Sequence, residues 1–532
     1  MNLFLMFSPI NIIIFFLWGV SAFVDYNYFC YLWQLKEYRM DRMRDFMSTQ
    51  KGKDFWRNYI MLWRSLFACF LFLWPINSVV IVKYFVIIIF GFELIRNLIQ
   101  LVRRKLRHPV FTKKSTLIIM AAMLAEGLLF VYSRDWPMIF LLMSVRFFVI
   151  TMTVLLLYLP TNLIKKWFIK KATKKLAGYN ELTVIGITGS YGKSTVKSFL
   201  SNILSGKFRV IKTPKNINTE IGVAKFILSN NFRNKDIFVV EMGAYRVGEI
   251  KLICDMVKPK IGILTAITEQ HVSLFGSIKM TQQAKYELLR SLPENGLAVV
   301  NSDNKYCREF LDELKCKKAT FGVEEVYQPD FLIKKVDNSP GGIIFAGSMY
   351  GKDVNTVAPV VGMHNAKNIA PCYLTADFLG MPIEESINQS KKLLLPDNVL
   401  SVIKYGEAIV LDDSYNSNYD GFCAGLDVLS DYLDKKRIVV TRGIPELGNS
   451  SHEIHIKIGG EIAYIADELI IIDKDNAAAL IEGAGSKFNM NIKFIEQPKE
   501  LLELIKSYKN TSSVILLENR VPDSVMKEIN SI

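Results

Sequence analysis

The sequence predicts an α-helical membrane bundle followed by α/β domains, on three observations. The 532-residue chain is 50% hydrophobic, with a mean hydropathy of +0.21 and a formal net charge of +14. The charge is localised: residues 1–180 hold 24 Lys+Arg against 8 Asp+Glu, and the remainder is close to neutral. All seven Trp lie between Trp18 and Trp167. This composition excludes a disordered chain. Basicity confined to one third also argues against a nucleic-acid binder, despite a whole-chain pI near 9.2.

A bilayer core about 30 Å thick requires roughly 20 mostly apolar residues per helix, because no backbone polar group can stay unpaired in hydrocarbon. Five stretches approach that length: Leu3 to Val24, Asn58 to Trp74, Ser78 to Ile95, Thr116 to Tyr132 and Pro137 to Pro160. Arg64, Lys83 and Glu93 fall within the second and third, where a charge must pair or snorkel. The segments Asp25 to Arg57, Arg96 to Ser115 and Thr161 to Leu176 hold seven, seven and six Lys+Arg, whereas the intervening turns hold almost none. That alternation predicts a multi-pass protein of the cell membrane with its N-terminus outside and its catalytic domains cytoplasmic. The first span lacks a basic leader and a small-residue cleavage site, so a cleaved signal peptide is not expected. Lys165, Lys166, Lys170, Lys171, Lys174 and Lys175 either fix orientation alone or also hold anionic lipid headgroups or a lipid-phosphate substrate. Seven scattered Cys without a CxxC pair predict neither a disulfide framework nor a zinc site.

Beyond the lysines, a β-branched run from Leu182 to Ile187 leads into Thr188-Gly189-Ser190-Tyr191-Gly192-Lys193-Ser194-Thr195 and then a helical pattern through Phe199, Leu200, Ile203 and Leu204. Strand, glycine loop and helix in that order form a P-loop-type phosphate cradle. Backbone amides and the helix N-terminus meet the phosphates, Lys193 reaches the β- and γ-phosphates, and the Ser194 hydroxyl ligates magnesium. The strict spacing fails by one residue, because Ile187 stands at the first glycine position. Two further apolar strands follow: Asp236 to Val240, which ends at Glu241, and Ile261 to Leu264, which leads into the segment Thr265 to His271. Ligands of open parallel sheets bind beyond the carboxyl ends of strands, which makes Glu241 and His271 candidates for a phosphate-bound cation.

The runs GITGSYGKST (Gly186 to Thr195), TPKNINTEIG (Thr213 to Gly222), EMGAYRVGEI (Glu241 to Ile250), AKYE (Ala284 to Glu287), NSD (Asn301 to Asp303), GMHNAKN (Gly362 to Asn368), LDDSYNSN (Leu411 to Asn418) and ELG (Glu446 to Gly448), with the His271 segment, follow the order seen in Mur ligases. The chain resembles that family clearly over about residues 180 to 460. The resemblance implies an ATP-dependent amide-bond ligase that activates a carboxylate as an acyl phosphate, with ATP and magnesium as cofactors. It implies catalytic roles for Lys193, His271 and Lys285, and nucleotide contacts from Gly189, Ser190, Gly192, Lys193, Ser194, Thr195, Asn365, Asn368, Asp413 and Tyr415. It further implies metal contacts from Ser194, Glu241, His271 and a carbamylated Lys285, and substrate contacts from Asn216 and Asn218. The expected partners are ATP and an amino-acid or peptide donor, with no nucleic acid; membrane lipids and a lipid-linked acceptor are suggested by the spans rather than by the resemblance.

Departures bear on the substrate. Pro396-Asp397-Asn398 stands where the family has Pro-Gly-Arg, Thr219 replaces an Asn, Ala224 and Tyr419 replace prolines, and Glu518-Asn519-Arg520 replaces Lys-Gly-Ser. The place of the family's uridine-binding domain is taken by the spans, which either only anchor the enzyme or point to an acceptor presented at the membrane. The expected organisation is a membrane region over 1–176, a central P-loop-type ATPase domain over 177–397 with a small β-insert near 328–361, and a C-terminal Rossmann-like α/β domain over 398–532. Two alternatives use the same nucleotide residues: a folylpolyglutamate-type or poly-amino-acid ligase, and a membrane transporter driven by nucleotide.

Overall fold

The computed structural model describes residues 9–531 apart from 57–58, 74–78, 104–105, 134–135, 215–216, 269–274, 276, 340–341, 396–399, 415–417, 446, 448–449 and 486–489. Asn216, His271 and Tyr415 therefore lie outside the described residues. The chain forms two compact units, Met1–Lys165 and Lys166–Ile532.

The first unit contains helices α1 (Pro9–Leu35), α2 (Met40–Ser48), α3 (Gln50–Trp56), α4 (Tyr59–Leu73), α5 (Val79–Val102), α6 (Lys113–Ser133), α7 (Trp136–Ser144) and α8 (Arg146–Leu156), and α9 (Tyr158–Leu176) leads out of it. Over their described residues the five apolar stretches are largely helical, and the last is divided among α7, α8 and the start of α9. Among the described residues, three helical stretches are long and apolar enough to cross a membrane: Pro9–Leu35, Val82–Val102 and Arg146–Leu176; Trp63–Leu73 is apolar but shorter.

This unit inverts the usual distribution of polarity. Its outward side chains include Phe16, Phe92 and Leu124, 65%, 71% and 64% exposed. Its interior holds a charged network in which Arg64 pairs with Asp25 at 2.7 Å and Glu93 at 2.8 Å, and Arg146 pairs with Asp25 and Glu126, each at 2.8 Å. The carboxylates also accept from neutral donors: Glu126 from Trp18 Nε1 at 2.8 Å and Tyr26 OH at 2.5 Å, and Glu93 from Ser21 Oγ at 2.7 Å. Burial of these charges is tolerated because each has an opposite charge and further hydrogen bonds. It also explains how charged residues sit within apolar helices, and why α1 runs through Asp25 rather than ending at Val24.

The second unit begins within α9, whose last turns belong to it. Ala172 and Leu176 sit in a core cluster with Val184 and Phe238, and Lys175 Nζ donates to the carbonyls of Leu228 at 2.9 Å and Asn230 at 2.6 Å. The compact units thus divide inside α9, eleven residues before Leu176.

A nine-stranded sheet has the order β2 (Val210–Lys212), β3 (Ile237–Glu241), β1 (Thr183–Thr188), β4 (Ile261–Leu264), β5 (Leu297–Asn301), β6 (Lys317–Gly322), β7 (Phe331–Ser339), β8 (Gly342–Met349) and β9 (Lys352–Ala358). Pairing is parallel from β2 through to β7 and antiparallel from β7 to β9. The segment expected as a β-insert is thus a hairpin extension of the main sheet. Helices cover both faces. Ile185 and Ile187 pack with α10 (Lys193–Leu204) on one side, and Val184 packs with residues of α11 (Glu220–Ser229), α12 (Glu249–Val257) and α13 (Ile278–Arg290) on the other. Double-sided burial is why these strands read as continuous apolar runs. A second sheet has the order β10 (Ser401–Tyr405), β11 (Ala408–Asp413), β15 (Ser513–Glu518), β12 (Lys436–Thr441), β13 (Glu468–Ile471) and β14 (Asn491–Phe494), parallel except for β10.

Candidate active site

The carboxyl ends of β1, β3, β4 and β5 meet at one end of the sheet. Parallel pairing sets Ile187 beside Glu241 and Thr188 beside Leu264. Beyond β1 the chain turns through the glycine loop into α10. Gly192 has φ 75°, a left-handed conformation that side chains disfavour, and a Cβ there would stand 2.8 Å from Asn368 Oδ1. At Gly189 a Cβ would collide with Thr265 Oγ1. The loop is tied to the segment after β4 by Ser190 N donating to Ala266 O at 2.7 Å, and by Ser190 Oγ accepting from Thr268 N at 2.9 Å.

Glu241 is the centre of the site. Its Oε2 accepts from Ser194 Oγ and from Lys197 Nζ, each at 2.8 Å, while Oε1 accepts from Asn218 Nδ2 at 3.1 Å. Burial pushes this carboxyl up, but Lys197 and Lys193 more than offset it and hold it below the usual carboxylate range. Asn218 also accepts Gly243 N on its backbone carbonyl at 2.8 Å, which locks two of the sequence motifs together. Its side-chain amide is directed at Glu241 rather than left open. Lys193 Nζ donates to the carbonyls of Gly189 at 2.6 Å and Ser190 at 3.0 Å.

Lys285, on α13, lines the same cleft. Burial and then the charge of Lys193 bring its amine well below the normal lysine range. Thr195 is buried at the start of α10. Asn368 and Asn365 lie on α14 (His364–Phe378); Asn368 Nδ2 donates to Asn365 Oδ1 at 2.9 Å, and Asn365 Nδ2 to Val361 O at 2.6 Å. Asp413, at the end of β11, closes the cleft from the second sheet. Burial pushes its carboxyl up to about 7, with Asp412 adding repulsion. The cleft has a volume of about 760 Å³, the size of a pocket for a nucleotide-sized molecule.

Ser194 Oγ and Glu241 Oε2 are hard oxygen donors of the kind magnesium takes together with substrate phosphates, so the residues present fit that ion. Of the expected set, Gly189, Ser190, Gly192, Lys193, Ser194, Asn218, Glu241, Lys285, Asn368 and Asp413 come together around the cleft, with Thr195 beside them. Asn365 instead braces Asn368 from behind.

Several residues escape the sequence reading. Lys197 is one turn beyond Ser194 on α10, so helical spacing from the loop would have found it. Tyr191 hydrogen-bonds to Asp420 on α15 (Tyr419–Ser430), and Asn418 Nδ2 donates to Thr268 Oγ1 at 3.0 Å; both contacts join the two sheets' domains and carry no local signal. Asn301 Nδ2 donates to Thr265 O at 2.9 Å, and Asp303 pairs with Lys367 at 2.7 Å, giving the NSD segment a bracing place beside the loop.

Residues 187–376 match the Mur ligase middle domain and residues 400–518 match the Mur ligase, glutamate ligase domain. A UDP-N-acetylmuramoyl-tripeptide--D-alanyl-D-alanine ligase of Synechocystis is 30% identical over 307 residues, covering 57% of this chain and 64% of the relative. The chain thus spans just under two thirds of that relative's length. In fold it is similar to MurF from Acinetobacter baumannii, with a TM-score of 0.61 at 24% identity over 69% of this chain and 80% of that one. A MurF ligase from Thermotoga maritima in complex with ADP gives a TM-score of 0.60 at 23% identity, over 69% and 82%. With both domains matched in order, and with their motifs gathered around one cleft, the chain belongs to the Mur ligase family.

Proposed function

We propose that the chain is a membrane-held, ATP-dependent ligase that joins an acceptor carboxylate to an amine in the synthesis of a cell-wall glycopeptide. The observation that carries this reading is the meeting of Lys193, Ser194 and Glu241 at the ends of β1 and β3, with the buried Lys285 in the same cleft. The loop amides and Lys193 hold the ATP phosphates, and Asn368 and Asp413 flank the nucleotide from the two domains. Asn218 orients Glu241, and the segment that carries Asn216 and Asn218 meets the substrate. Ser194 and Glu241 would hold magnesium, joined by His271 and a carbamylated Lys285, and the ion would neutralise charge developing on the transferring phosphoryl group.

The γ-phosphoryl group passes to an acceptor carboxylate oxygen, ADP departs, and an acyl phosphate results. The amine nitrogen then attacks the carbonyl carbon, the C–O bond to phosphate breaks, and the nitrogen loses a proton. Lys193 and the loop amides stay fixed on the phosphoryl oxygens through the first step, where positioning and charge stabilisation account for most of the catalysis.

The printed name of the Synechocystis relative supports a D-amino dipeptide as the amine donor. The charged interior and apolar exterior of the first unit support a membrane location, with Lys166, Lys170, Lys171 and Lys174 facing anionic lipid headgroups and the acceptor carried on a lipid. The full chain in membranes, supplied with ATP, is expected to turn over only when acceptor carboxylate and amine are both present, and mass analysis of the product identifies the pair. ATP hydrolysis at full rate without either would overturn the ligase reading. Full activity on a soluble UDP-linked peptide after removal of residues 1–165 would overturn the lipid-linked acceptor.

A further inference from the structure

Glu241 is shared between two groups. Its Oε2 receives the Ser194 hydroxyl and the Lys197 ammonium at the same distance, 2.8 Å, and the Lys197 and Glu241 side chains are only 5% and 3% exposed. Lys197 is anchored there by a second bond, to Pro214 O at 3.3 Å, and by its helical position one turn beyond Ser194. Glu241 Oε1 is engaged by Asn218, so neither carboxylate oxygen is idle. Lys193 adds its charge to that of Lys197 on this carboxylate, and Lys285 lines the same cleft.

We propose that Lys197 is a positioning residue that withholds Glu241 from a free divalent cation, so that metal enters the site only together with the nucleotide. A magnesium or manganese ion ligated to Oε2 sits about 2.1 Å from that oxygen. An ammonium hydrogen-bonded to the same oxygen then stands a few ångströms from a double positive charge, in a dry surrounding where such repulsion is strong. A triphosphate reverses the balance, because it supplies further oxygen ligands and enough negative charge to compensate Lys193, Lys197 and the metal together. The ion pair with Lys197 therefore makes metal affinity depend on nucleotide without any change in the number of protein ligands. This inference rests on the proposed magnesium and ATP site.

The test is manganese binding to the purified full chain, followed by electron paramagnetic resonance, with and without a non-hydrolysable ATP analogue and without acceptor or amine. The wild-type protein is expected to bind manganese at least about tenfold more tightly with the analogue than alone. Lys197→Met is expected to bind manganese alone about tenfold more tightly than wild type and to lose most of the nucleotide dependence, whereas Lys197→Arg retains the wild-type pattern. A Lys197→Met protein that binds the analogue but shows unchanged or weaker affinity for manganese alone would overturn the proposal. So would a wild-type protein whose manganese affinity is the same with and without analogue, a measurement that does not depend on any variant folding. Failure of the wild-type chain to bind the analogue at all would instead overturn the nucleotide site itself.

Discussion

Burial, and then the charge of Lys193, bring the Lys285 amine well below the usual lysine range. The shift favours the neutral amine, the form that bonds to carbon dioxide through an N–C bond with loss of a proton. The product is a carboxylate-like group in the same cleft as Glu241. Activity of the wild-type chain is expected to fall in carbon-dioxide-depleted buffer and to recover with added bicarbonate. Lys285→Met should be about a hundredfold less active and indifferent to bicarbonate. A wild type equally indifferent would show the amine acting unmodified. Asp413 presents the opposite case, with its carboxyl pushed up to about 7 by burial and by Asp412. The folded state therefore binds more protons than the unfolded one between about pH 4 and 7, so this group's contribution to stability falls as pH rises through that window. Above pH 7 it costs on the order of 2–4 kcal/mol, an upper range because Asp412 is coupled to it. Asp413→Asn is expected to raise Tm more at pH 8 than at pH 5; equal gains at both would remove ionisation as the cause.

At the scale of elements, the junction of β1, the glycine loop and α10 depends on backbone conformation as much as on its lysine. Gly192 has φ 75° and lies against Asn368, which is itself held by Asn365. Gly192→Ala is expected to cost about 1–2 kcal/mol of backbone strain, and to weaken ATP-analogue binding about tenfold as the loop amides and Asn368 are displaced. Calorimetric titration measures that loss; unchanged affinity would mean that the loop tolerates a side chain there. From opposite domains, α13 contributes Lys285 to the cleft and α15 contributes several residues, Asp420 and Asp427 among them. Tyr191 joins the phosphate loop to Asp420, so the sheet that holds phosphate and the domain that covers it are linked by a side chain of the loop itself.

For the molecule as a whole, the two compact units are stabilised by different physics. The second has apolar cores on both faces of a parallel sheet, whereas the first has a core in which two guanidiniums and three carboxylates are mutually satisfied. Removing one partner of such a buried set leaves the others uncompensated, at a cost of about 3–5 kcal/mol. Arg146→Met strands Glu126 and weakens the hold on Asp25, so it is expected to destabilise the helical unit selectively. Six of the seven Trp precede Lys165, which makes Trp emission a reporter of that unit. The emission transition should fall by several degrees on heating while the ATP-analogue-protected transition stays in place. A joint fall of both would show that the units unfold together.

The glycine loop with Lys193 and Ser194 was legible because its chemistry is local: strand, turn and helix follow one another, and the amides and hydroxyl come from adjacent residues. Glu241 was legible from the same logic, as the polar residue ending an apolar strand, and the five apolar stretches were legible from hydropathy alone. The partners of those residues were not. Arg64 and Glu93 looked like intrusions into apolar helices until pairing across α1, α4 and α5 supplied their counter-charges. Lys197 carries no local signal of its partner, and parallel pairing of β1 with β3 is what brings Glu241 to it. Sequence by itself determined which segments are apolar, which loop can hold phosphate and which family order the motifs follow, because these depend on neighbours along the chain. Tertiary structure alone decided which charge meets which, since an ion pair or a shared carboxylate is set by distances between residues far apart in sequence.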